Sequence, residues 1–292
     1  MSTENNKEAT VMVDTLENLE VDNIINDIVN KIKVTSRFMT VATNQMGKTN
    51  AVMHLMRAIM NQPEYINDKV RMRAFDPAFN FRFKFDAVPY VDRTEYVHVP
   101  DDAQSLIVDI PFLDASKKKE AIMEVLLSDF IRKRNMKKMY NGKVPYQYFY
   151  IVDEMQNVWG NYALRSREGE SALTVFSESS NYGMAIMGIS QRFADVATGI
   201  VERCAYYLVG ALSGSNELTR LSKMVSNVKI VKRVRTLKRG EFIFIDKDNS
   251  EYFMEIHFPV FVSNGKPYPY QSPTVITETN KVGKIQAFKN FF

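Results

Sequence analysis

Thiol and imidazole side chains are scarce in this sequence. Only one of the 292 residues is cysteine, Cys204, and three are histidine. A single cysteine excludes an intramolecular disulfide, and the sequence contains neither a CxxC pair nor an HExxH motif. These absences argue against a disulfide-stapled secreted domain and against a zinc enzyme. We expect Cys204 to be buried, as free cysteines usually are.

Long apolar runs are also absent. No stretch approaches the roughly 18 to 20 residues that a transmembrane helix requires, and residues 1–6 lack the basic and apolar regions of a signal peptide. The sequence therefore predicts a cytoplasmic protein without a membrane span. Its length and its average composition, with 45% hydrophobic and 25% charged residues, predict one large globular domain with additions, or at most two domains.

Acidic and basic side chains are unevenly distributed along the chain. Residues 1–30 contain seven acidic side chains and one lysine, a net charge of −6, so the rest of the chain carries +10 although the whole carries +4. A basic body favours association with a polyanionic partner.

Apolar runs of strand length alternate with longer helical patterns from residue 37 onward, which predicts an α/β fold. Residues 106–108 and 149–152 are apolar at every position, as in parallel strands that are covered by helices on both faces. The predicted strands are 37–42, 70–75, 105–110, 148–153, 184–190 and 205–212, and the predicted helices are 48–60, 117–139 and 171–182.

The pattern changes beyond residue 216. Segments 229–235, 241–246 and 252–258 are β-like, so the sequence predicts a small antiparallel extension after the mainly parallel sheet. Together these patterns divide the chain into an acidic helical leader at 1–36, a main domain at 37–262 and an extended C-terminal tail at 263–292.

A phosphate-binding loop is the clearest motif. It has the form A/G-x-x-x-x-G-K-S/T, in which backbone N–H groups at a helix start surround the phosphates of a nucleotide. Gly47 permits the tight turn, Lys48 reaches the phosphates, and the hydroxyl of Thr49 binds Mg²⁺. The predicted nucleotide-binding residues are Ala42, Thr43, Asn44, Gln45, Met46, Gly47, Lys48, Thr49 and Asn50.

Two carboxylates at the end of a second strand complete the motif. Asp153 and Glu154 directly follow the apolar run 148–152. The carboxyl end of such a strand lies at the sheet edge where the metal of a P-loop protein sits, so Asp153 is predicted to bind Mg²⁺. Glu154 is predicted to be the general base for water. If the next strand lies between these two, Gln191 at its end would lie near the γ-phosphate and sense hydrolysis.

These motifs, in this order, resemble the FtsK-HerA superfamily of DNA-pumping ATPases along residues 38–258. The resemblance implies a RecA-like core that assembles into a ring, usually a hexamer, with ATP and Mg²⁺ at subunit interfaces and double-stranded DNA in the pore. Besides the P-loop, the segments that carry it are Phe75-Asp76-Pro77, Val108-Asp109-Ile110, Ile151 to Asn157, Asn181-Tyr182-Gly183, Ser190-Gln191-Arg192 and Leu237 to Phe242.

One segment departs from that superfamily. The run from Ser177 to Ser180 stands where the HerA branch has arginines that serve the neighbouring subunit's site. Arg165 and Arg167 are the preferred candidates for this trans-acting role, with Arg167 assigned as catalytic. Arg192 and Arg203 are weaker candidates. The alternative is that Arg165 and Arg167 are exposed loop charges.

The leading function hypothesis is a ring motor that packages a viral genome into a preformed capsid, since the resemblance covers a motor domain with little added to it. This hypothesis adds capsid-vertex or virion-membrane proteins as partners, and places the protein in the host cytoplasm or on the virion. The alternatives are a plasmid or HerA-type DNA translocase in transfer or repair, and a nucleotide-gated assembly scaffold that turns over slowly.

Two basic clusters, within 117–138 and 229–239, allow two interpretations. Each is either a solvated surface or a tracker of DNA phosphates, since a surface of positive charge binds a nucleic-acid backbone without regard to sequence. Trp159, just after the two carboxylates, is interpreted as a packing residue or a subunit contact.

Overall fold

The structure is a computed structural model of the chain. The residues that the structure describes are 25–26, 28–32, 37–78, 80–81, 85, 90–92, 106–110, 114–162, 164, 167–225, 227–249, 253–260 and 274–278.

Ten strands among the described residues form one sheet, in the order β10-β9-β8-β7-β1-β6-β5-β2-β4-β3. The pairs from β7 to β3 are parallel, and those from β7 to β10 are antiparallel. The strands are β1 Arg37–Val41, β2 Val70–Asp76, β3 Tyr90–Asp92, β4 Leu106–Asp109, β5 Gln147–Val152, β6 Met184–Ser190, β7 Tyr206–Val209, β8 Glu241–Asp246, β9 Phe253–His257 and β10 Thr274–Glu278.

Helices lie in the connections from β1 to β2, from β4 to β5, from β5 to β6 and from β6 to β7. No described helix is both long enough and apolar enough to cross a membrane. The α-helices are α1 Lys48–Met60, α2 Pro63–Ile66, α3 Ala115–Met139, α4 Gln156–Trp159, α5 Arg167–Glu178, α6 Thr198–Val201, α7 Ser215–Met224 and α8 Val228–Arg233. Residues 25–26 and 28–32 are also helical.

The central strand β5 shows why the sheet is covered on both faces. Tyr148 and Tyr150 lie in the core on the side of α3 and α5, whereas Phe149 and Ile151 lie in the core on the side of α1. All four side chains are buried. Since alternate residues of a strand point to opposite faces, a strand that is apolar at every position requires two layers of helices. The predicted α/β fold with a mainly parallel sheet is confirmed.

The antiparallel extension is confirmed for β8 and β9, but the prediction of a strand at 229–235 is wrong. Val228–Arg233 form helix α8. The side chain of Asn227 accepts a hydrogen bond from the Lys229 N–H and so caps the helix, and the inward residues Ile230 and Val234 are four apart. This spacing is helical, although the β-branched valines favour a strand. Thr274–Glu278, inside the predicted tail, pair with β9 as strand β10.

Three smaller predictions concern packing. In the predicted leader, Ile25, Ile28 and Val29 belong to a helical segment and are buried in the core on the side of α1. Residues 1–24, 27 and 33–36 lie outside the described part, so the leader as a whole stays a prediction. Cys204 is buried, and burial raises the pKa of its thiol to about 12. Trp159 is buried and donates a hydrogen bond to the Ala172 carbonyl, so it is a packing residue.

A buried charged network joins β2 to α3. The Arg73 guanidinium lies 2.8 Å from the Asp129 carboxylate, and neither side chain is more than 2% exposed. Asp129 also accepts a hydrogen bond of 2.7 Å from the Tyr150 hydroxyl, and Arg132 lies 3.0 Å from it. Several hydrogen bonds to one carboxylate offset the cost of removing its charge from water.

Lys133 is a further basic side chain beside this network. Its ammonium lies 3.4 Å from the centre of the Tyr146 ring and donates to the Tyr146 carbonyl. Burial lowers the pKa of Lys133 to about 7, and the charge of Arg71 contributes in the same direction. The charged form of Lys133 is therefore unfavourable in the folded protein.

This pKa predicts how stability depends on pH. Between the folded pKa of Lys133, about 7, and the unfolded value of about 10.4, the unfolded state binds the extra proton, so stability rises with pH. From pH 7 to pH 9 the gain attributable to Lys133 is about 2 kcal/mol. Urea unfolding of the natural protein and of Lys133→Met gives the difference between their free energies of unfolding at each pH. The change in that difference from pH 7 to pH 9 measures the gain. The same difference in unfolding free energy at both pH values would contradict the prediction. The hydrogen bond that Lys133→Met removes contributes equally at both pH values and cannot produce the change.

Candidate nucleotide site

The P-loop connects β1 to α1. Gly47 precedes the first helical residue with φ 90°, a left-handed conformation that favours glycine. Gln45 also has a positive φ, 63°. The N-cap residue Gly47 provides no side-chain cap for α1, and the start of a helix is where known phosphate sites hold an anion.

Distant segments hold the loop in place. The Thr43 N–H and hydroxyl both donate to the Ala211 carbonyl, at 3.0 and 3.2 Å, just beyond β7. The Gly240 N–H donates to the Met46 carbonyl at 3.1 Å. A Cβ at Gly210 would lie 2.7 Å from the Cβ of Ala42, so this glycine lets β7 approach the start of the loop. Contacts within the chain therefore position the loop.

A residue from the C-terminal part of the chain holds helix α1 in place. The side chains of Asn50 and His54 both lie against the Pro259 carbonyl, at 2.7 and 2.9 Å. Burial lowers the pKa of His54 to about 4, so the ring is neutral near pH 7 and its Nε2–H donates to this carbonyl. The Asn50 side chain, predicted to bind nucleotide, is engaged in this contact.

Lys48 closes the loop upon itself. Its ammonium donates to the Thr43 carbonyl at 3.2 Å. Burial lowers the pKa of Lys48, while the carboxylates of Asp153 and Glu154 raise it. The charge that is predicted to bind phosphate therefore interacts electrostatically with both carboxylates.

Asp153 lies at the end of β5 and is 6% exposed. Burial and the adjacent Glu154 carboxylate raise the pKa of Asp153 to about 7, although the Glu154 N–H donates to it at 2.9 Å. Two adjacent carboxylates, one of them buried, are not balanced by the positive charge around them. This environment suits a divalent cation with oxygen ligands, so the residues present fit Mg²⁺.

Glu154 is held by two amides. Its Oε1 accepts from the Gln191 amide at 3.2 Å, and its Oε2 accepts from the Gln156 amide. Its backbone is left-handed, with φ 54°, a conformation that costs a non-glycine residue about 1 to 2 kcal/mol. Strain of this kind is typical of functional positions that the surrounding structure holds in place. Gln156 is not among the predicted site residues, since a glutamine two positions after a carboxylate carries no recognisable signal of this role.

Strand order brings Gln191 to this position. β6 lies between β1 and β5, as the prediction for Gln191 requires. A Cβ at Gly188 in β6 would lie 2.2 Å from the Met155 sulfur, and the Met155 N–H donates to the Ile189 carbonyl at 2.9 Å. This close packing sets the turn after β5 directly against β6.

Another strand-end carboxylate organises a loop. Asp76, at the end of β2, is buried and accepts hydrogen bonds from the N–H groups of Ala78, Asn80 and Phe81, at 3.1, 2.9 and 2.6 Å. The Asp-Pro motif predicted here is therefore a turn that shapes the sheet edge near Asp153.

The candidates for the trans-acting arginine have different surroundings. Arg192 lies 3.6 Å from the Glu217 carboxylate and is about half exposed, and Arg203 donates to the Gly199 carbonyl at 2.7 Å. Arg165 lies outside the described residues. Arg167 begins helix α5, and its side chain lies outside the described part, so its role stays a prediction.

Sequence comparison finds no relative. No family model matches this chain, and no curated protein matches it significantly. Solved structures do match.

Two of these are viral proteins. The genome-packaging NTPase B204 of Sulfolobus turreted icosahedral virus 2, in complex with ATPγS, has a TM-score of 0.56 and 15% identity, over 78% of this chain and 98% of its own. The DNA-packaging ATPase B204 of Sulfolobus turreted icosahedral virus has a TM-score of 0.54 and 15% identity, over 76% of this chain and 97% of its own.

A third is bacterial. VirB4 of Thermoanaerobacter pseudethanolicus has a TM-score of 0.55 and 11% identity, over 78% of this chain and 90% of its own. At 11 to 15% sequence identity, the similarity shows a shared fold. The fold expected from the FtsK-HerA resemblance is confirmed: this chain has the fold of a P-loop ATPase.

Proposed function

We propose that this chain is an ATP-hydrolysing motor that moves double-stranded DNA as a subunit of a homo-oligomeric ring. The observation that carries the proposal is the meeting of three strand ends. The P-loop follows β1, Asp153 and Glu154 follow β5, and Gln191 follows β6, with a hydrogen bond from Gln191 to Glu154. This arrangement supports a site in which phosphate binding, metal binding and a general base share one edge of the sheet.

Each group has a role in the proposed reaction. The N–H groups at the start of α1 and the Lys48 ammonium bind the phosphates of ATP. Thr49 and Asp153 hold Mg²⁺, which neutralises charge on the phosphates when it is bound. Hydrogen bonds from Gln191 and Gln156 fix the direction of the Glu154 carboxylate.

Hydrolysis follows from these positions. Glu154 accepts one proton of a water molecule while the water oxygen bonds to the γ-phosphorus. The bond from the γ-phosphorus to the bridging oxygen breaks, and ADP and phosphate are released. Gln191, which contacts Glu154 directly, senses the change at the γ-phosphate. Arg167 of a neighbouring subunit is proposed to stabilise the charge that develops there, an effect worth about 10³- to 10⁵-fold in such ATPases.

Duplex DNA is the proposed substrate of the motor. Support comes from the excess of positive charge outside residues 1–30 and from the viral neighbours, which are described as genome- and DNA-packaging enzymes. Within this proposal the task is packaging of a viral genome, the ring is a hexamer, and capsid-vertex or virion-membrane proteins are partners. The protein would act in the host cytoplasm and associate with the virion.

Duplex DNA is expected to raise ATP turnover, and its binding is expected to be independent of sequence. Because cations that contact phosphates release counterions, the logarithm of the binding constant should fall with that of salt concentration, with a slope of about −0.9 per contact. Turnover with and without duplex DNA, and binding of two unrelated duplexes between 50 and 200 mM salt, test both expectations.

The possible outcomes separate the alternatives. A flat salt response or turnover that DNA does not change would contradict the motor, and slow turnover without DNA binding would favour the nucleotide-gated scaffold. A translocase of transfer or repair would also respond to DNA, so the two motors are separated by assaying DNA uptake into empty capsids.

A further inference from the structure

Five exposed cations lie within residues 229–239, the segment that leads into the turn at Gly240 beside the P-loop. We call them the basic face: Lys229, Lys232, Arg235, Lys238 and Arg239. Among the described residues none of the five side chains has an acidic partner within 4.0 Å. The basic face is thus a surface of uncompensated positive charge.

The local structure turns these cations outward. Ile230 and Val234 are buried and anchor the segment to the core. Arg233 lies 3.0 Å from Glu255 and 3.5 Å from Glu241. Arg233 therefore offsets one of the two nearby negative charges, and the five charges of the basic face exceed the one that remains.

The same segment touches the nucleotide site. The Lys238 N–H donates to the Glu241 carboxylate, and the Glu241 N–H donates to the Lys238 carbonyl, both at 2.9 Å. These bonds form the turn in which the Gly240 N–H donates to the Met46 carbonyl of the P-loop. A ligand on the basic face is therefore linked to the loop through one short turn.

The basic helix α3 differs. Lys133 is buried, Arg132 lies 3.0 Å from Asp129, and Lys137 donates to the Asn181 carbonyl. Its exposed cations, Lys117, Arg134 and Lys138, are spread over a helix of 25 residues. Arg233 in the second cluster is likewise held by acidic partners, but the five cations of the basic face are all exposed and lie within eleven residues of the sequence.

We propose that the basic face is the surface that holds the phosphate backbone of duplex DNA and reports it to the P-loop. This inference rests on the proposed function and names the surface that carries it out. Phosphate oxygens fit a row of lysine and arginine side chains, which bind without reading sequence. An anionic membrane is a poorer fit, because a membrane-surface helix presents an apolar face outward, and here Ile230 and Val234 face the core.

A matched pair of triple variants tests the proposal. Lys229→Ala/Lys232→Ala/Arg235→Ala removes three charges of the basic face and leaves Lys238 and Arg239, which adjoin the P-loop turn. Lys117→Ala/Arg134→Ala/Lys138→Ala removes three exposed charges of α3 and serves as the control. Both lower the net charge equally, so only position distinguishes them. Equal melting temperatures would establish that both fold.

The basic-face variant is expected to bind duplex DNA about 10- to 100-fold more weakly at low salt, with a salt slope smaller by about 2 to 3. The α3 variant should keep the slope of the natural protein. Equal losses in both variants, or a loss only in the α3 variant, would overturn the assignment. If the basic-face variant instead lost binding to phosphatidylserine vesicles and kept DNA binding, the partner would be a membrane.

This experiment also separates failure of the inference from failure of the proposed function. A natural protein that does not bind duplex DNA would overturn both. A natural protein that binds DNA, together with a folded basic-face variant that binds equally well, would overturn only the assignment of this surface.

Discussion

Lys48→Ala is expected to lower ATP turnover by at least about 10²- to 10³-fold, the effect of losing one preorganised donor to a developing charge. Within the P-loop the sequence contains no other cation, so no loop residue can replace the charge. The substitution also removes the hydrogen bond to the Thr43 carbonyl that closes the loop. Nucleotide binding should weaken for both reasons. Steady-state phosphate release and the binding of a fluorescent ATP analogue measure the two effects.

Lys117→Ala is the matched control, because it removes one exposed lysine far from the site in sequence and outside every described contact of the P-loop. Its turnover should equal that of the natural protein. Near-normal turnover of a folded Lys48→Ala variant would overturn the assignment of the P-loop.

Glu154→Gln is expected to separate binding from hydrolysis. ATP and Mg²⁺ should still bind, because Asp153 and the P-loop are unchanged. Turnover should fall by about 10²- to 10⁴-fold, the usual contribution of a general base. The new amide can offer an oxygen to only one of Gln191 and Gln156, both of which donate to Glu154. Single-turnover hydrolysis compared with equilibrium nucleotide binding measures the separation.

Glu120→Gln provides the control for Glu154→Gln, since Glu120 is an exposed residue of α3. Normal turnover of Glu154→Gln would mean that the base lies elsewhere. Loss of nucleotide binding would mean that Glu154 acts on the shape of the loop and not on water.

The sequence predicts most of the sheet because its signals are local. Helix α1 and strand β6 begin and end where the sequence places them, at Lys48–Met60 and Met184–Ser190, since both have a strong apolar pattern and a clear turn on each side. The helix at Val228–Arg233 is predicted as a strand because six residues give little periodicity and valine favours β structure. Its helical state depends on the capping side chain of Asn227 and on the core contacts of Ile230.

The candidate site also contains residues with a local sequence signal and residues without one. Lys48, Asp153 and Gln191 are predicted because each follows or begins a strong element. The carbonyls of Ala211 and Pro259, which hold the loop and α1, are not predicted. Any residue has a backbone carbonyl, so only the strand order reveals which ones reach the site.

The bond from Asn50 to Pro259, 209 positions apart in the chain, has a consequence for the order of folding. Contacts between residues distant in sequence form late, because the loop between them must close first. On the ribosome the P-loop sequence is complete once residue 49 is made, but the carbonyl that restrains α1 emerges only with residue 259. A nascent chain therefore carries its phosphate-binding residues long before it can hold them in the geometry that binds ATP.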